Sequence, residues 1–236
     1  SGVTGDLFGL FAVVAFVDCL TELSLVRKGH ALTDGAKIIK LWENSRESEQ
    51  ILAVYVLGLS ETTPVRPQNW KESWVMQATS DPEASTYFVG CYYAYIYHLD
   101  REDSKAAGEW LDRILEWEAD NKDGVRRWKA AVEGAYFEAV HRCAPSRARY
   151  WLGQPRTGIA ADPVAELRAE AAVLYAENRM TEAGGVIIRA RQMLSSYPET
   201  GLTAFESQLL DDLNRRILAV RPATLTLRQL SLAVDK

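Results

Sequence analysis

The stretch RAEAAVLYAENRMTEAGGVIIRARQMLSSYP, residues 168–198, decides the fold class of this chain. Its apolar residues recur at three- and four-residue spacing on both sides of the polar centre ENRMTE, which is typical of two amphipathic helices joined by a short turn. The small side chain of Ala183 allows close approach of a partner helix, and Pro198 follows the second helix. The stretch therefore predicts a helical hairpin.

Two earlier stretches repeat this pattern of a small residue followed by a bulky pair. AGEWL begins at Ala107, ARYWL at Ala148 and AGGVI at Ala183, so the separations are 41 and 35 residues. Each follows an alanine- or aromatic-rich segment that has the spacing of a helix. The pattern resembles the tetratricopeptide class, whose period is about 34 residues, and this resemblance implies an all-α fold of helix–turn–helix repeats, an α-solenoid. The alternative is an irregular helical bundle, since alanine and aromatic residues at helical spacing are ordinary core.

Capping signals predict where individual helices begin. Asp81-Pro82 and Asp162-Pro163 each place a carboxylate before a proline, which suits the first position of a helix. Thr203-Ala204-Phe205-Glu206 fits a capping box and predicts a final amphipathic helix. We therefore divide the chain into an apolar N-terminal helix and link (1–30), connecting helices (31–80), a repeat region (81–220) and an apolar tail (221–236).

Composition excludes several classes of function. The chain has 236 residues, of which 47% are hydrophobic, and this content is ample for a continuous core. A net charge of -5 argues against a general nucleic-acid binder, because phosphate neutralisation needs a basic surface. Three cysteines lie far apart without a Cys-x-x-Cys pair, which indicates a reducing compartment. We expect a cytoplasmic location.

The apolar run Leu7–Val17 is shorter than the roughly 20 residues that a membrane-spanning helix needs. Its length is typical of a core or interfacial helix, and a truncated membrane segment is the alternative. Contact with the inner face of a membrane through this run is one expectation, and self-association through it is another. The sequence leaves the oligomeric state open.

No complete catalytic constellation is present. The chain has three histidines and no His-Glu-x-x-His, and it has no P-loop, Gly-x-Ser-x-Gly or dinucleotide fingerprint. His98 follows Cys91 by two helical turns and His141 lies near Cys143, but core or loop roles are the stronger interpretation. We therefore predict no catalytic residue and no cofactor in this chain.

Charge is divided between neighbouring segments of the chain. Residues 100–123 carry nine acidic and four basic side chains, whereas residues 124–156 are predominantly basic. One interpretation is that adjacent helices of opposite sign satisfy each other. The other is that an acidic protein or peptide segment binds a basic, aromatic groove. The candidate partner-binding residues are Trp128, Tyr136, Arg142, Arg149, Tyr150 and Trp151.

The stretch ELSLVRKGHALTDGAKI, residues 22–38, resembles the end of the membrane domain in bacterial site-2-protease-like zinc metallopeptidases, the M50 class. PVRPQNW, residues 64–70, is similar to a segment of the helical-repeat tails that some members carry on the cytosolic side. The resemblance implies that Asp34 is a zinc ligand, with zinc held only where the parent protein supplies an upstream His-Glu-x-x-His. The alternative is that Asp34 is the N-cap of a helix over 36–43.

Two functions follow from these features. The first is a non-catalytic helical-repeat module that binds a protein or peptide segment and forms the cytosolic tail of a membrane metallopeptidase-like protein. The alternative is the C-terminal portion of an active intramembrane zinc protease in which Asp34 is a metal ligand.

Overall fold

The computed structural model describes the backbone of residues 27–28, 31–32, 45–120, 127–154 and 162–234. Side chains are described for 45–116, 129–154 and 162–220. The run Leu7–Val17, Asp34 and the helix predicted over 36–43 lie outside the described residues.

Most of the described residues are helical, which confirms the predicted all-α class for this part of the chain. The exception is a two-residue antiparallel ladder that pairs β1 (Arg27–Lys28) with β2 (Ala31–Leu32). Two 3-10 turns, Leu59–Glu61 and Pro67–Asn69, separate the first two helices. The α-helices are α1 (Arg46–Gly58), α2 (Glu72–Ala78), α3 (Tyr87–Asp100), α4 (Ser104–Asp120), α5 (Arg127–Val140), α6 (Pro145–Leu152), α7 (Pro163–Ala176), α8 (Met180–Leu194) and α9 (Gly201–Val234).

The described residues divide into two compact units. The first unit contains the β1–β2 pair, residues 45–57 and residues 71–93. The second unit contains residues 58–70 and the described residues from Ala94 onward. In the first unit the apolar faces of α1 and α2 are buried through Ile51, Leu57 and Val75. Burial of such side chains is the main stabilising contribution, at about 1.5–3 kcal/mol each.

The loop before α3 corrects one predicted helix start. The Asp81 carboxylate accepts the Glu83 N–H at 3.0 Å, yet the helix begins only at Tyr87. The Gln50 side chain accepts the Asp81 N–H at 2.8 Å and donates to the Asp81 carbonyl at 3.2 Å. Gln50 thus holds both backbone groups of Asp81, and the Asp81 carbonyl also accepts the Ala84 N–H at 3.2 Å, which closes a turn rather than a helix. The prediction of a helix start at Asp81-Pro82 is therefore wrong.

In the second unit, consecutive helices pack in a regular order. Helix α5 packs against α4, α6 and α7, and α7 packs against α5, α6, α8 and α9. Helix α8 also packs against α9. From α4 to α9, each helix therefore contacts its neighbours in the chain, and α5 also contacts α7, the first helix of the next pair.

The three hairpin turns share one backbone conformation. Glu102, Cys143 and Asn178, between α3 and α4, α5 and α6, and α7 and α8, have φ of 61°, 52° and 62°. In each turn the next amide donates back to a carbonyl in the last turn of the preceding helix. These bonds satisfy carbonyls that a helix end leaves free. They join Asp103 N–H to His98 O at 3.0 Å, Ala144 N–H to Glu138 O at 2.8 Å, and Arg179 N–H to Leu174 O at 2.9 Å.

The helix that follows each of these turns, which is the second helix of its hairpin, carries a buried alanine at the same distance from the turn. Ala107, Ala148 and Ala183 each follow the left-handed residue of their hairpin by five positions, and each is 0% exposed. Their complete burial is consistent with the prediction that these small residues allow neighbouring helices to approach closely.

Helix α7 begins as predicted, but α9 begins with a different cap. The Asp162 carboxylate accepts the Val164 N–H at 2.8 Å, which confirms the predicted N-cap. At α9, Thr200 and Thr203 cap each other: the Thr203 N–H donates to Thr200 Oγ1 at 3.2 Å and the Thr200 N–H donates to Thr203 Oγ1 at 2.8 Å. The predicted box from Thr203 to Glu206 is wrong because the Glu206 carboxylate binds Arg168 instead.

The backbone of α9 continues as a helix from Gly201 to Val234, through Pro222 and across most of the segment predicted to be a separate tail. Within the described part of the chain, no helix is both long enough and apolar enough to cross a membrane.

Candidate functional site

Four polar side chains link the first helices of the three hairpins to α9. The Tyr95 hydroxyl on α3 donates to Glu133 Oε2 on α5 at 3.0 Å. Arg168 on α7 donates from Nη2 to Glu133 Oε1 at 2.9 Å and from Nε to Glu206 Oε1 on α9 at 2.6 Å. We call Tyr95, Glu133, Arg168 and Glu206 the polar ladder.

Burial governs the electrostatics of the ladder. Arg168 is only 1% exposed, and its guanidinium lies 4.3 Å from the centre of the Tyr136 ring. One guanidinium thus serves two carboxylates, and burial raises the pKa of Glu206 above its usual value. Burial also raises the pKa of the Tyr95 phenol, so that this group remains a neutral donor. The ladder is a buried ionic network whose partners depend on one another.

A cavity of about 410 Å³ lies beside the ladder in the second unit. We call it the α9 cavity, because one face of α9 forms much of its wall. Tyr136, which is 2% exposed and lies under Arg168, is shared between the ladder and the cavity wall. The lining residues are Leu99, Asp100, Glu102, Ser104, Tyr136, His141, Phe205, Gln208, Leu209, Asp212, Arg215 and Arg216.

One wall of the α9 cavity is fixed by Asp100. Its carboxylate accepts from Arg66 Nη2 through Oδ1 and from the Gln68 N–H through Oδ2 at 2.9 Å. Arg66 Nη2 also donates to Gln208 Oε1 at 2.6 Å. These bonds join the 58–70 segment to the end of α3 and to α9, and they neutralise the charge of Asp100.

His141 is a second polar residue in the wall of the cavity. Its ring is stacked on Phe137 at 4.8 Å between centroids and lies edge-on to Tyr136 at 5.9 Å. Its Nε2 atom is buried and has no hydrogen-bond partner among the described residues. Burial, assisted by the charges of Arg216 and Arg168, lowers the pKa of His141 to about 4. The imidazole is therefore neutral at pH 7.

The predicted partner-binding residues Tyr136 and Arg142 are engaged inside the unit. Arg142 donates to Asp112 Oδ2 at 2.7 Å and to Glu138 Oε1 at 2.9 Å, and the bonds to Asp112 raise the pKa of the guanidinium. The pair joins an acidic α4 side chain to the basic segment that follows it. This is the contact that the alternating charge of the two segments predicts.

Three other predicted residues lie together on α6. Tyr150 is 61% exposed, and its ring meets the Trp151 ring edge-on at 5.1 Å between centroids. The other side of the Trp151 ring has room because Gly134 lacks a Cβ, which would lie 3.3 Å from that ring. Arg149 donates from Nε to Glu177 Oε1 at 2.7 Å. The side chain of Trp128 lies outside the described residues, and a partner-binding role for this set stays a prediction.

Sequence reasoning did not identify the ladder or the cavity. The signal for the ladder was a polar residue in an otherwise apolar helix face: Glu133 and Arg168 each lie ten positions before the left-handed residue of their hairpin. Periodicity alone does not show that two such residues from different hairpins meet.

No group of three or more His, Cys, Asp or Glu side chains that could hold a metal ion occurs within the described residues. Cys91 is buried, while His98 Nδ1 lies 3.6 Å from an Asp103 oxygen. The proposed zinc ligand Asp34 lies outside the described part of the chain.

Comparison of the chain with protein-family models, with curated proteins and with solved structures returned no match.

Proposed function

We propose that this chain is a helical-repeat module of tetratricopeptide-like type that binds a protein or peptide segment and performs no catalysis itself. The observation that carries the proposal is the common register of its three hairpins. Each has a left-handed residue in the turn and a fully buried alanine five positions later. Repeat proteins stack equivalent units in this way and use the resulting continuous surface for binding.

The polar ladder supports this proposal because it fixes the register of successive first helices. A slip of one helix against the next would separate Glu133 from Arg168, or Arg168 from Glu206, and would leave a buried charge without a partner. A surface whose helices are held in one register is pre-organised for binding.

The surface of α6 is the proposed binding face. It carries exposed Tyr150 beside Trp151, and tyrosine and tryptophan contribute large contact area at protein interfaces. Arg147 and Arg149 place positive charge beside these rings. Both arginines already pair with carboxylates, Glu138 and Glu177, so the aromatic pair is the proposed anchor and the arginines set a preference for an acidic segment.

The proposed peptide binding is tested by selection from a random peptide library, followed by fluorescence anisotropy with the enriched peptide. Tyr150→Ala should weaken binding by at least about tenfold, which is the typical loss for an interface anchor. Tyr55→Ala is the matched control, because Tyr55 is 50% exposed on α1 in the other unit. Equal binding by both variants, or the failure of any peptide to bind saturably, contradicts the proposal.

The resemblance in residues 22–38 supports a second proposal, that the module belongs to a bacterial membrane metallopeptidase-like protein and lies at the cytoplasmic face of the membrane. The alternative remains an active intramembrane zinc protease with Asp34 as a ligand. Both predict an apolar helix containing His-Glu-x-x-His upstream in the gene or its operon, and only the alternative predicts that purified parent protein loses zinc when Asp34 is replaced by Ala. An upstream sequence without this motif rejects both.

A further inference from the structure

The α9 cavity contains two polar groups that the proposed peptide-binding role does not use. Arg216 on α9 makes a single hydrogen bond among the described residues, from Nη1 to the Val140 carbonyl at 3.4 Å. His141 contributes Nε2, which is buried and has no partner among those residues. Both line the same space of about 410 Å³, which lies in the range of small-molecule sites, about 300–1,000 Å³.

The other charges of the cavity are largely compensated. Arg66 and the Gln68 N–H occupy both oxygens of Asp100. Asp212 pairs with Arg215. The remaining carboxylate, Glu102, is exposed in the turn between α3 and α4. Among the described residues that line the cavity, Arg216 is thus the cation that can accept an anion without breaking an existing ion pair.

We propose that the α9 cavity binds a small anion, through a carboxylate or phosphate group, between the guanidinium of Arg216 and Nε2 of His141. A charge-assisted bond from Arg216 supplies the main attraction, and an Nε2–H tautomer of the neutral imidazole supplies a second donor. The ligand would also give the buried Nε2 atom the partner that it lacks. Apolar contacts from Phe205 and Leu209 would pack against the body of the ligand.

The ionisation of His141 also reports whether an anion is bound in the cavity. Its pKa is lowered to about 4 partly by the charges of Arg216 and Arg168, so a bound anion that offsets these charges should raise it. The imidazole resonances of His141, assigned with His141→Gln, therefore report binding directly. Replacing Arg216 should by itself raise the pKa of His141, because it removes one of the charges that lower this pKa.

The test is a titration of the full chain with inorganic phosphate and, separately, with succinate at constant ionic strength, followed by NMR of His141. We expect saturable shifts with at least one anion and a loss of affinity of about tenfold or more in Arg216→Gln. Arg191→Gln is the matched control, because Arg191 lies on α8 outside this cavity and pairs with Asp211. Comparison of the two anions distinguishes a phosphate site from a carboxylate site.

Glu102→Gln gives a second, independent measurement. This substitution removes the negative charge of Glu102, which repels an anion, and it leaves Arg216 unchanged. It should therefore tighten binding of the same anion. Circular dichroism spectra that match the wild type establish that each variant is folded. The proposal is overturned if neither anion saturates the His141 shifts, or if Arg216→Gln and Arg191→Gln bind equally well.

Discussion

Arg168 is the residue on which the polar ladder depends. Its guanidinium contacts both Glu133 and Glu206 and also lies over the Tyr136 ring. Transfer of three charged groups from water into a buried site is costly, and the cost is offset only while the attractions between them remain. Removal of the shared cation would leave two buried carboxylates without their main partner.

We therefore expect Arg168→Met to lower the free energy of unfolding by about 3–5 kcal/mol, measured by urea denaturation at neutral pH. Arg189→Met is the control, since Arg189 is exposed on α8 and lies 3.6 Å from Glu170; its effect should be within about 0.5 kcal/mol. Similar losses in the two variants would show that the ladder contributes no more than a surface ion pair.

His141 should make the stability of the protein depend on pH. Its pKa falls from 6.5 to about 4 on folding, so the unfolded chain binds this proton more strongly. Between pH 6.5 and about 4 the unfolded state carries more protons, and the free energy of unfolding decreases as the pH falls through this window. Above pH 6.5 the contribution is constant.

The prediction is tested with His141→Phe, which removes the titrating group but can still stack on Phe137. Relative to its own value at about pH 7.5, the wild type should lose about 3 kcal/mol more than the variant by about pH 4, as measured by urea denaturation at each pH. Glu206 acts in the opposite direction, because its raised pKa favours the folded state as the pH falls. It is common to both proteins and cancels from the comparison. Parallel pH profiles would refute the assignment.

At the scale of the elements, the hairpin turns decide how successive helices join. The left-handed conformation suits glycine and, among other residues, asparagine, whose short side chain tolerates it. Asn178 follows this preference, whereas Glu102 adopts the same conformation with a longer side chain. Two backbone hydrogen bonds hold Glu102 there, from the Asp103 N–H to the His98 carbonyl and from the Glu102 N–H to the Leu99 carbonyl.

Glu102→Gly should consequently stabilise the protein by about 0.5–1 kcal/mol, because glycine adopts positive φ without the steric cost. Glu109→Gly is the matched control on the exposed face of α4, where loss of helix propensity should destabilise by about 1 kcal/mol. Thermal unfolding monitored by circular dichroism measures both changes. A destabilised Glu102→Gly protein would mean that the Glu102 side chain contributes more than its backbone conformation costs.

The elements also show where sequence patterns identify structure reliably. The spacing of Ala107, Ala148 and Ala183 predicted three equivalent second helices, and all three side chains are fully buried. The cap at Asp162 was predicted because it involves only local residues. The box at Thr203 was predicted wrongly because a distant partner, Arg168, takes the Glu206 carboxylate. At Asp81 the carboxylate makes its local bond to the Glu83 N–H, yet a turn bound by Gln50 follows instead of a helix.

At the scale of the molecule, neighbouring hairpins stabilise one another. Helix α7 packs against four helices, whereas α6 packs against α5 and α7 and has eight residues. In such an arrangement the stability of each element depends on its interfaces with its neighbours. Central first helices should therefore open only when much of the second unit unfolds.

Native-state hydrogen exchange measures this difference. Amides in the middle of α7 should exchange with the free energy of global unfolding of the unit, while those of α6 should exchange through smaller local openings. In Arg168→Met the protection of α5 and α7 should fall together, because the ladder joins them through Glu133. Equal or greater protection of α6 in the wild type would contradict the proposed hierarchy.

The sequence by itself determined the helical class, the three hairpins and the residues that are buried at their second helices. These features follow from periodicity, small side chains and local caps, which act over a few residues. The tertiary structure decided the polar ladder, the α9 cavity and the turn that precedes α3. Each of these depends on side chains that are 30 or more residues apart, such as Gln50 with Asp81 and Arg168 with Glu133 and Glu206. Their interaction energies exist only after the helices have packed.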